Sequence, residues 1–173
     1  MIKEAASVNL RSEITENDVH NLIRWIDNKN VTLYLNESSF ISERLKHLLQ
    51  FYPPDMFTFC FNQEGHFYLV CDKKNTSIGF LKIHPVKKDC YEVVYVIGDE
   101  CLWGNGYGKA ALKKALSTLF YEIRAKEVHA KISHNNLRSK NTALHCGMKP
   151  VKKEGSMTTY AITLDEYLKK KIS

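Results

Sequence analysis

A chain of 173 residues with 44% hydrophobic side chains is long enough to bury a core of its own, and none of its apolar runs approaches a membrane span of roughly 18 residues. Its 25 Lys/Arg exceed 19 Asp/Glu for a net charge of +6, and its five cysteines show neither a CxxC pair nor a His/Cys cluster at metal-ligand spacing, against both a disulfide framework and a zinc site. The opening MIKEAASVNLRSE lacks the apolar stretch of a signal peptide, so a single soluble, cytoplasmic domain over residues 1–173 is expected, with no membrane partner.

In chain order, SVNLRSEI reads as a first strand. TENDVHNLIRWI follows as a helix capped by Thr15, with Val19, Leu22, Ile23 and Ile26 at three- and four-residue spacing. A second helix over 39–51 is stopped by Pro53 and Pro54. The period then becomes two. MFTFCFN and HFYLVCD flank the turn QEG, SIGFLKIH follows KKNT, and YEVVYVIG follows PVKKD, which predicts four antiparallel strands in a row. Helical spacing returns with Leu112, Ala115, Leu116, Leu119, Phe120 and Ile123 on one face and Lys109, Lys113, Lys114 and Ser117 on the other. KEVHAKIS reads as a strand, RSKNTALHCG as a short helix ended by Gly147, and MKPVKKEG with MTTYAITL as a closing hairpin. This alternation predicts an α/β (α+β) fold, a mixed and mostly antiparallel sheet of about seven strands covered by helices.

Charge divides unevenly along the chain. Residues 104–153 hold eleven Lys/Arg against Glu122 and Glu127, a local balance of +9 that leaves −3 for the remainder. Two readings stand: a solvated basic surface, or a half that faces a polyanion, either nucleic acid or a phosphorylated cofactor. The segment CLWGNGYGKAAL bears on the choice, because Gly104, Gly106 and Gly108 alternate directly before the amphipathic helix. A helix N-terminus offers unpaired N–H groups and partial positive charge, and glycines admit a ligand close to the backbone, although glycines also make plain turns. The spacing fits neither the P-loop GxxxxGK[ST] nor the dinucleotide GxGxxG.

Trp103, Gly104, Asn105, Gly106, Tyr107 and Gly108 resemble the acyl-coenzyme A signature of the GNAT superfamily of N-acetyltransferases, [QR]xxGxG or A. Trp103 departs from glutamine or arginine, and in this it is similar to the branch that acetylates N-terminal amines of ribosomal proteins, whose loops read WGKGYA. NLRSKNTALHCGM is similar to a second motif of that branch at Asn136, Ser139 and Gly147, with Met148 for the usual phenylalanine. The resemblance covers residues 66–150 and implies helices on both faces of the sheet, acetyl-CoA as co-substrate and no metal. It further implies that the fourth strand splays from the fifth, that Val96 and Ile97 offer backbone groups to the pantetheine arm, and that Trp103, Gly104, Asn105, Gly106, Tyr107, Gly108 and Lys109 hold the pyrophosphate. Asn136 would bond the pantetheine amide, and the local positive charge would face the coenzyme phosphates.

Acyl transfer to an amine also needs a base. Glu92 shares a strand face with Val94 and Val96, and the branch often carries glutamate there; the alternative is a solvated strand-end carboxylate. Where many family members place a tyrosine as general acid this chain has Ala143, which leaves Ser139 as a proton donor or as the cap of its helix. The resemblance assigns the acceptor groove to the first two helices and their linker, hence Tyr34 and Glu37, for a protein N-terminus, a polyamine or another small amine. Two other functions stay open: a GNAT-like module that binds acyl-CoA without turnover, and a basic RNA- or ribosome-binding protein. The second lacks an aromatic-rich recognition strand, so nucleic acid is disfavoured as a partner.

Overall fold

The computed structural model describes residues 6–35 and 40–172. One seven-stranded sheet runs in the order β1-β2-β3-β4-β5-β7-β6, built from β1 (Asn9–Arg11), β2 (His66–Cys71), β3 (Ser77–Lys87), β4 (Cys90–Ile97), β5 (Glu127–Ser133), β6 (Lys149–Glu154) and β7 (Met157–Thr163). All neighbours are antiparallel except β4 and β5, which are parallel. The expected mixed, mostly antiparallel α+β sheet is the one observed.

Strand alternation sends successive side chains to opposite faces, and each face is covered by helices. On one side lie α1 (Glu16–Asp27), the short α2 (Lys29–Thr32), α3 (Ile41–Phe51) and α4 (Phe57–Phe61), where Val19, Leu22 and Trp25 pack on Phe67, Leu69, Phe80 and Val96. On the other, α5 (Tyr107–Ser117) runs into a π turn at Thr118–Glu122 and is joined by α6 (Leu137–His145) and α7 (Leu164–Ile172). There Leu112, Leu116 and Leu119 meet Val70, Leu81, Ile83 and Val93.

Thr15 caps α1 as its sequence predicts: its Oγ1 accepts from the Asp18 N–H at 3.3 Å, and the Thr15 N–H donates back to the Asp18 carboxylate at 2.9 Å. Arg11 of β1 grips the same carboxylate with both terminal nitrogens, at 2.9 and 3.0 Å, so the buried Asp18 joins the first strand to the first helix.

One expected strand is not a strand. MFTFCFN forms a 3-10 turn at Pro54–Met56 and then α4, so three antiparallel strands follow one another rather than four, and QEG is no hairpin turn. Proline opens the turn, where its missing N–H costs nothing. Phe57 and Phe61, four apart, both face the core, while Phe59 stays 64% exposed. Thr58 Oγ1 accepts from the Ile14 N–H at 3.1 Å, and Asn62 donates to the Thr58 carbonyl at 2.7 Å while accepting from the Phe67 N–H at 2.9 Å. Those bonds seat α4 against the start of β2. Helix α7 was also unforeseen; Tyr167 anchors it, 4.8 Å from the Phe120 ring.

The feature that positions the site is the meeting of β4 and β5. Only three residue pairs are in register, Cys90 with Glu127, Tyr91 with Val128 and Glu92 with His129. Beyond Glu92 the two strands part.

Candidate active site

The gap between β4 and β5 opens into a cavity of about 390 Å³ lined by Tyr34, Val96, Ile97, Trp103, Gly104, Gly106, Gly108, Lys109, Asn136 and Ser139. These are residues that the sequence pointed to, brought together from the α1–α2 region, β4, the glycine loop and α6. Asn105 and Tyr107 do not line it. The Asn105 side chain instead turns inward to the Cys101 carbonyl at 3.3 Å, and Tyr107 packs against the α5-side core.

The loop is shaped for an anion. Gly104 and Gly106 have φ of +75° and +88°, conformations that other residues adopt at a cost, and Gly106 starts α5 with no side chain capping it. Ala110 donates to the Gly106 carbonyl at 3.0 Å, but the N–H groups of Tyr107, Gly108 and Lys109 find no acceptor among the described residues. Three donors therefore sit at the positive end of the helix, and two of them belong to Gly108 and Lys109, which line the cavity. Trp103, the departure from the signature, has a visible role. Its Nε1 donates to the Ile97 carbonyl at 2.7 Å, and the Arg138 guanidinium lies 3.8 Å from its ring centroid, so one indole ties the loop to β4 and to α6. On the far side, Asn28 and Asn30 hold Glu100 at 2.7 and 3.1 Å, fastening the helical layer to the loop.

Strand direction corrects one expectation. A Cβ on Gly79 would stand 2.0 Å from the Val96 carbonyl oxygen, and the next even-numbered residue, Gly98, donates to Ile78 at 2.9 Å, so the peptide groups of Val96 point to β3. Odd-numbered residues face the gap. Of the expected pair only Ile97 does so, and its carbonyl is taken by Trp103; Val96 lines the cavity without offering backbone. Tyr95, which the sequence reading passed over, presents its peptide there instead. Alternation counted from a paired residue would have found it.

Asn136 caps α6, its Oδ1 accepting from the Ser139 N–H at 3.2 Å, which leaves its amide NH2 to donate into the cavity. Ser139 lies in the third position of the helix and is not its cap. Burial pushes the Tyr95 phenol up to about 12, against the pull of the Ser139 and Thr142 hydroxyls beside it, so it stays neutral. Arg138 was also missed, although it sits inside the quoted motif; only the stacking on Trp103 sets it apart from the surrounding basic residues.

A second cavity of about 600 Å³ adjoins the first at Tyr34 and Leu35, and is walled by α1, α3 and the exposed face of β3 and β4. Glu92 and Val94 line it, as does Lys131 of β5, whose Nζ lies 3.4 Å from the Glu92 carboxylate. The Glu92 side chain is 20% exposed. Glu37 lies outside the described residues. The site thus consists of a cleft with unpaired N–H donors beside it and a second chamber with a carboxylate on the shared strand.

A sheet opened between parallel strands beside a glycine-led helix N-terminus defines an acyl-CoA-binding transferase class. Residues 8–149 match the acetyltransferase (GNAT) domain, and the chain belongs to that family of acetyl-CoA-dependent N-acetyltransferases. Acetyl-CoA is the co-substrate of the family, and its acyl transfer calls for no metal. No curated protein matches the chain. Among solved structures it is similar in fold to a domain from Methanocaldococcus jannaschii DSM 2661, at 22% identity over 92% of this chain and 99% of that one, with a TM-score of 0.73. It is similar also to the spermidine N-acetyltransferase from Vibrio cholerae in complex with CoA and spermine, at 15% identity over 94% and 98% of the two chains and a TM-score of 0.76. A third is AAC(6')-Ib in complex with paromomycin and acetyl-CoA, at 14% identity, 94% and 96% coverage and a TM-score of 0.76. Among the described residues, no helix is long and apolar enough to cross a membrane.

Proposed function

We propose that this protein transfers the acetyl group of acetyl-CoA to a primary amine of a small molecule. The observation that carries the reading is the parting of β4 and β5 beyond Glu92, next to three unpaired N–H groups at the start of α5. An extended pantetheine arm fits the gap by pairing with the free backbone of Tyr95 and the Ile97 N–H, and the Asn136 amide donates to one of its carbonyls. The pyrophosphate lies over the N–H groups of Tyr107, Gly108 and Lys109, with Trp103 and Asn105 bracing the loop and Arg138 and Lys109 adding charge.

That placement delivers the thioester towards the larger chamber, where Glu92 takes the proton of the attacking amine, directly or through one water. As the tetrahedral intermediate collapses, the C–S bond breaks and the Ser139 hydroxyl donates a hydrogen bond to the departing sulfur. Tyr34, at the junction of the two cavities, bounds the acceptor. The chamber volume suits a small amine, and small amines are what two of the similar structures hold, spermine and paromomycin. A second acceptor, a protein N-terminal amine, is favoured by the likeness of the Trp103 loop to the branch that acetylates ribosomal proteins.

The test is thermal stabilisation by acetyl-CoA followed by thiol release over a panel of polyamines, amino sugars, single amino acids and an alanine-terminated peptide. Stabilisation together with amine-dependent thiol release supports the reading, and the best amine names the acceptor. Stabilisation with no turnover on any amine points to a binding module, and no stabilisation at all removes the cleft from the argument.

A further inference from the structure

At the root of the cleft, over the paired steps of β4 and β5, three side chains from two distant strands meet. Cys90 Sγ lies 3.7 Å from His129 Nε2, Glu127 Oε1 lies 2.7 Å from the same nitrogen, and the three atoms are all within 4.8 Å of one another. We propose that Cys90, Glu127 and His129 form a zinc site that clasps β4 to β5 across the three paired steps that precede their separation. It is independent of the acetyl transfer, which needs no metal.

The first reason is the shared nitrogen. In an acid–base triad the two partners of a histidine use different ring nitrogens, whereas here thiol and carboxylate both address Nε2. One N–H satisfies the carboxylate and leaves the thiol with nothing. A metal in place of that hydrogen engages all three. The second reason is distance. Bonds of roughly 2.3 Å to sulfur and 2.0–2.2 Å to nitrogen and oxygen in a tetrahedron separate ligand atoms by about 3.6 Å for S···N and about 3.4 Å for N···O. The S···N spacing already agrees, and the carboxylate must withdraw by less than about 1 Å, which a glutamate one-third exposed can do.

Charge and chemistry agree as well. Thiolate plus carboxylate cancel the two positive charges of the ion; binding releases the Cys90 proton to solvent, and the His129 ring, ligating through Nε2, carries its one hydrogen on Nδ1. A sulfur, an imidazole and one carboxylate suit zinc rather than magnesium or calcium. The fourth position falls to water, admitted past His129 and Glu127, whose side chains are 18% and 32% exposed while Cys90 is buried. Around the set stand Lys87, 3.8 Å from the second Glu127 oxygen, and Glu92, which is engaged with Lys131.

The experiment is a Co²⁺ titration of the full, metal-stripped chain, followed by displacement with Zn²⁺. Expected are the strong visible bands of tetrahedral cobalt, a thiolate-to-cobalt charge-transfer band in the near ultraviolet, and a melting temperature raised by Zn²⁺. Cys90→Ser should abolish the charge-transfer band, and Cys90→Ser, His129→Gln and Glu127→Gln should each weaken Zn²⁺ by at least about tenfold. No tetrahedral cobalt spectrum in the wild type would overturn the proposal, as would an unchanged spectrum and affinity in Cys90→Ser, which would assign the ion to Cys60 or Cys101. Should Cys90→Ser fail to fold, the part-exposed Glu127→Gln decides, and wild-type Zn²⁺ affinity there also overturns the site.

Discussion

At the scale of single residues the glycine loop shows which positions need glycine and why. Gly106 holds φ +88°, and a Cβ there would meet nothing nearer than Ala6 at 3.6 Å, so the constraint is backbone strain rather than collision within the protein. Gly106→Ala should cost about 1–2 kcal/mol of stability and weaken acetyl-CoA at least tenfold, read by thermal melting and calorimetry. Gly108, within the helix, carries no such strain, and a Cβ there would stand 3.6 Å from the Tyr95 ring, so Gly108→Ala should bind acetyl-CoA nearly as the wild type does. Equal losses at both positions would show that space, not conformation, governs the loop. Glu92 is tested by turnover. An amine with a pKa near 10.4 is disfavoured as the neutral nucleophile by about 4.6 kcal/mol at pH 7. For such an acceptor Glu92→Gln should lower kcat/KM roughly a hundredfold without changing the KM for acetyl-CoA. Full activity in that variant would leave solvent as the proton acceptor.

At the scale of elements, two polar contacts hold parts that hydrophobic packing alone would leave free to slide. Burial raises the Asp18 carboxyl, but the Arg11 guanidinium and the Thr15 bonds outweigh it and hold the group below its usual range. Because the folded value lies below the unfolded one, near 3.9, the stability it adds is complete above that pH and is lost as the pH falls through the folded value. Arg11→Ala leaves the carboxylate buried without its cation and should cost roughly 3 kcal/mol in urea unfolding at neutral pH. Asp18→Asn should flatten the acid limb of the melting temperature against pH; an unchanged limb would place the acid sensitivity elsewhere. The second contact is Trp103, which joins loop, β4 and α6. Trp103→Phe keeps a ring for Arg138 and loses the bond to Ile97, so acetyl-CoA binding should fall severalfold with the fold retained.

At the scale of the whole molecule, the excess of positive charge in residues 104–153 includes Lys109 and Arg138, which line the cleft. Acetyl-CoA affinity should therefore fall as salt rises from 50 to 500 mM, since screening lengths shrink below about 10 Å; a flat response would make that charge plain surface. The sequence by itself determined the class of fold and pointed to the glycine loop and helix start that line the cleft. Amphipathic periods set by burial on one face, as in Leu112 to Phe120, and a loop whose glycines must turn before a helix are local constraints, legible without contacts. Tertiary structure alone decided the rest. MFTFCFN has an alternating pattern that suits a strand, yet Thr58 and Asn62 find their partners in Ile14 and Phe67, and a helical turn is what satisfies them. The side of β4 that faces the gap depends on its register with β3, which set the peptide groups of Tyr95 rather than those of Val96 against the cleft. The gathering of Cys90 with Glu127 and His129 arises because two distant strands lie parallel for only three residues, a pairing that no spacing along the chain records.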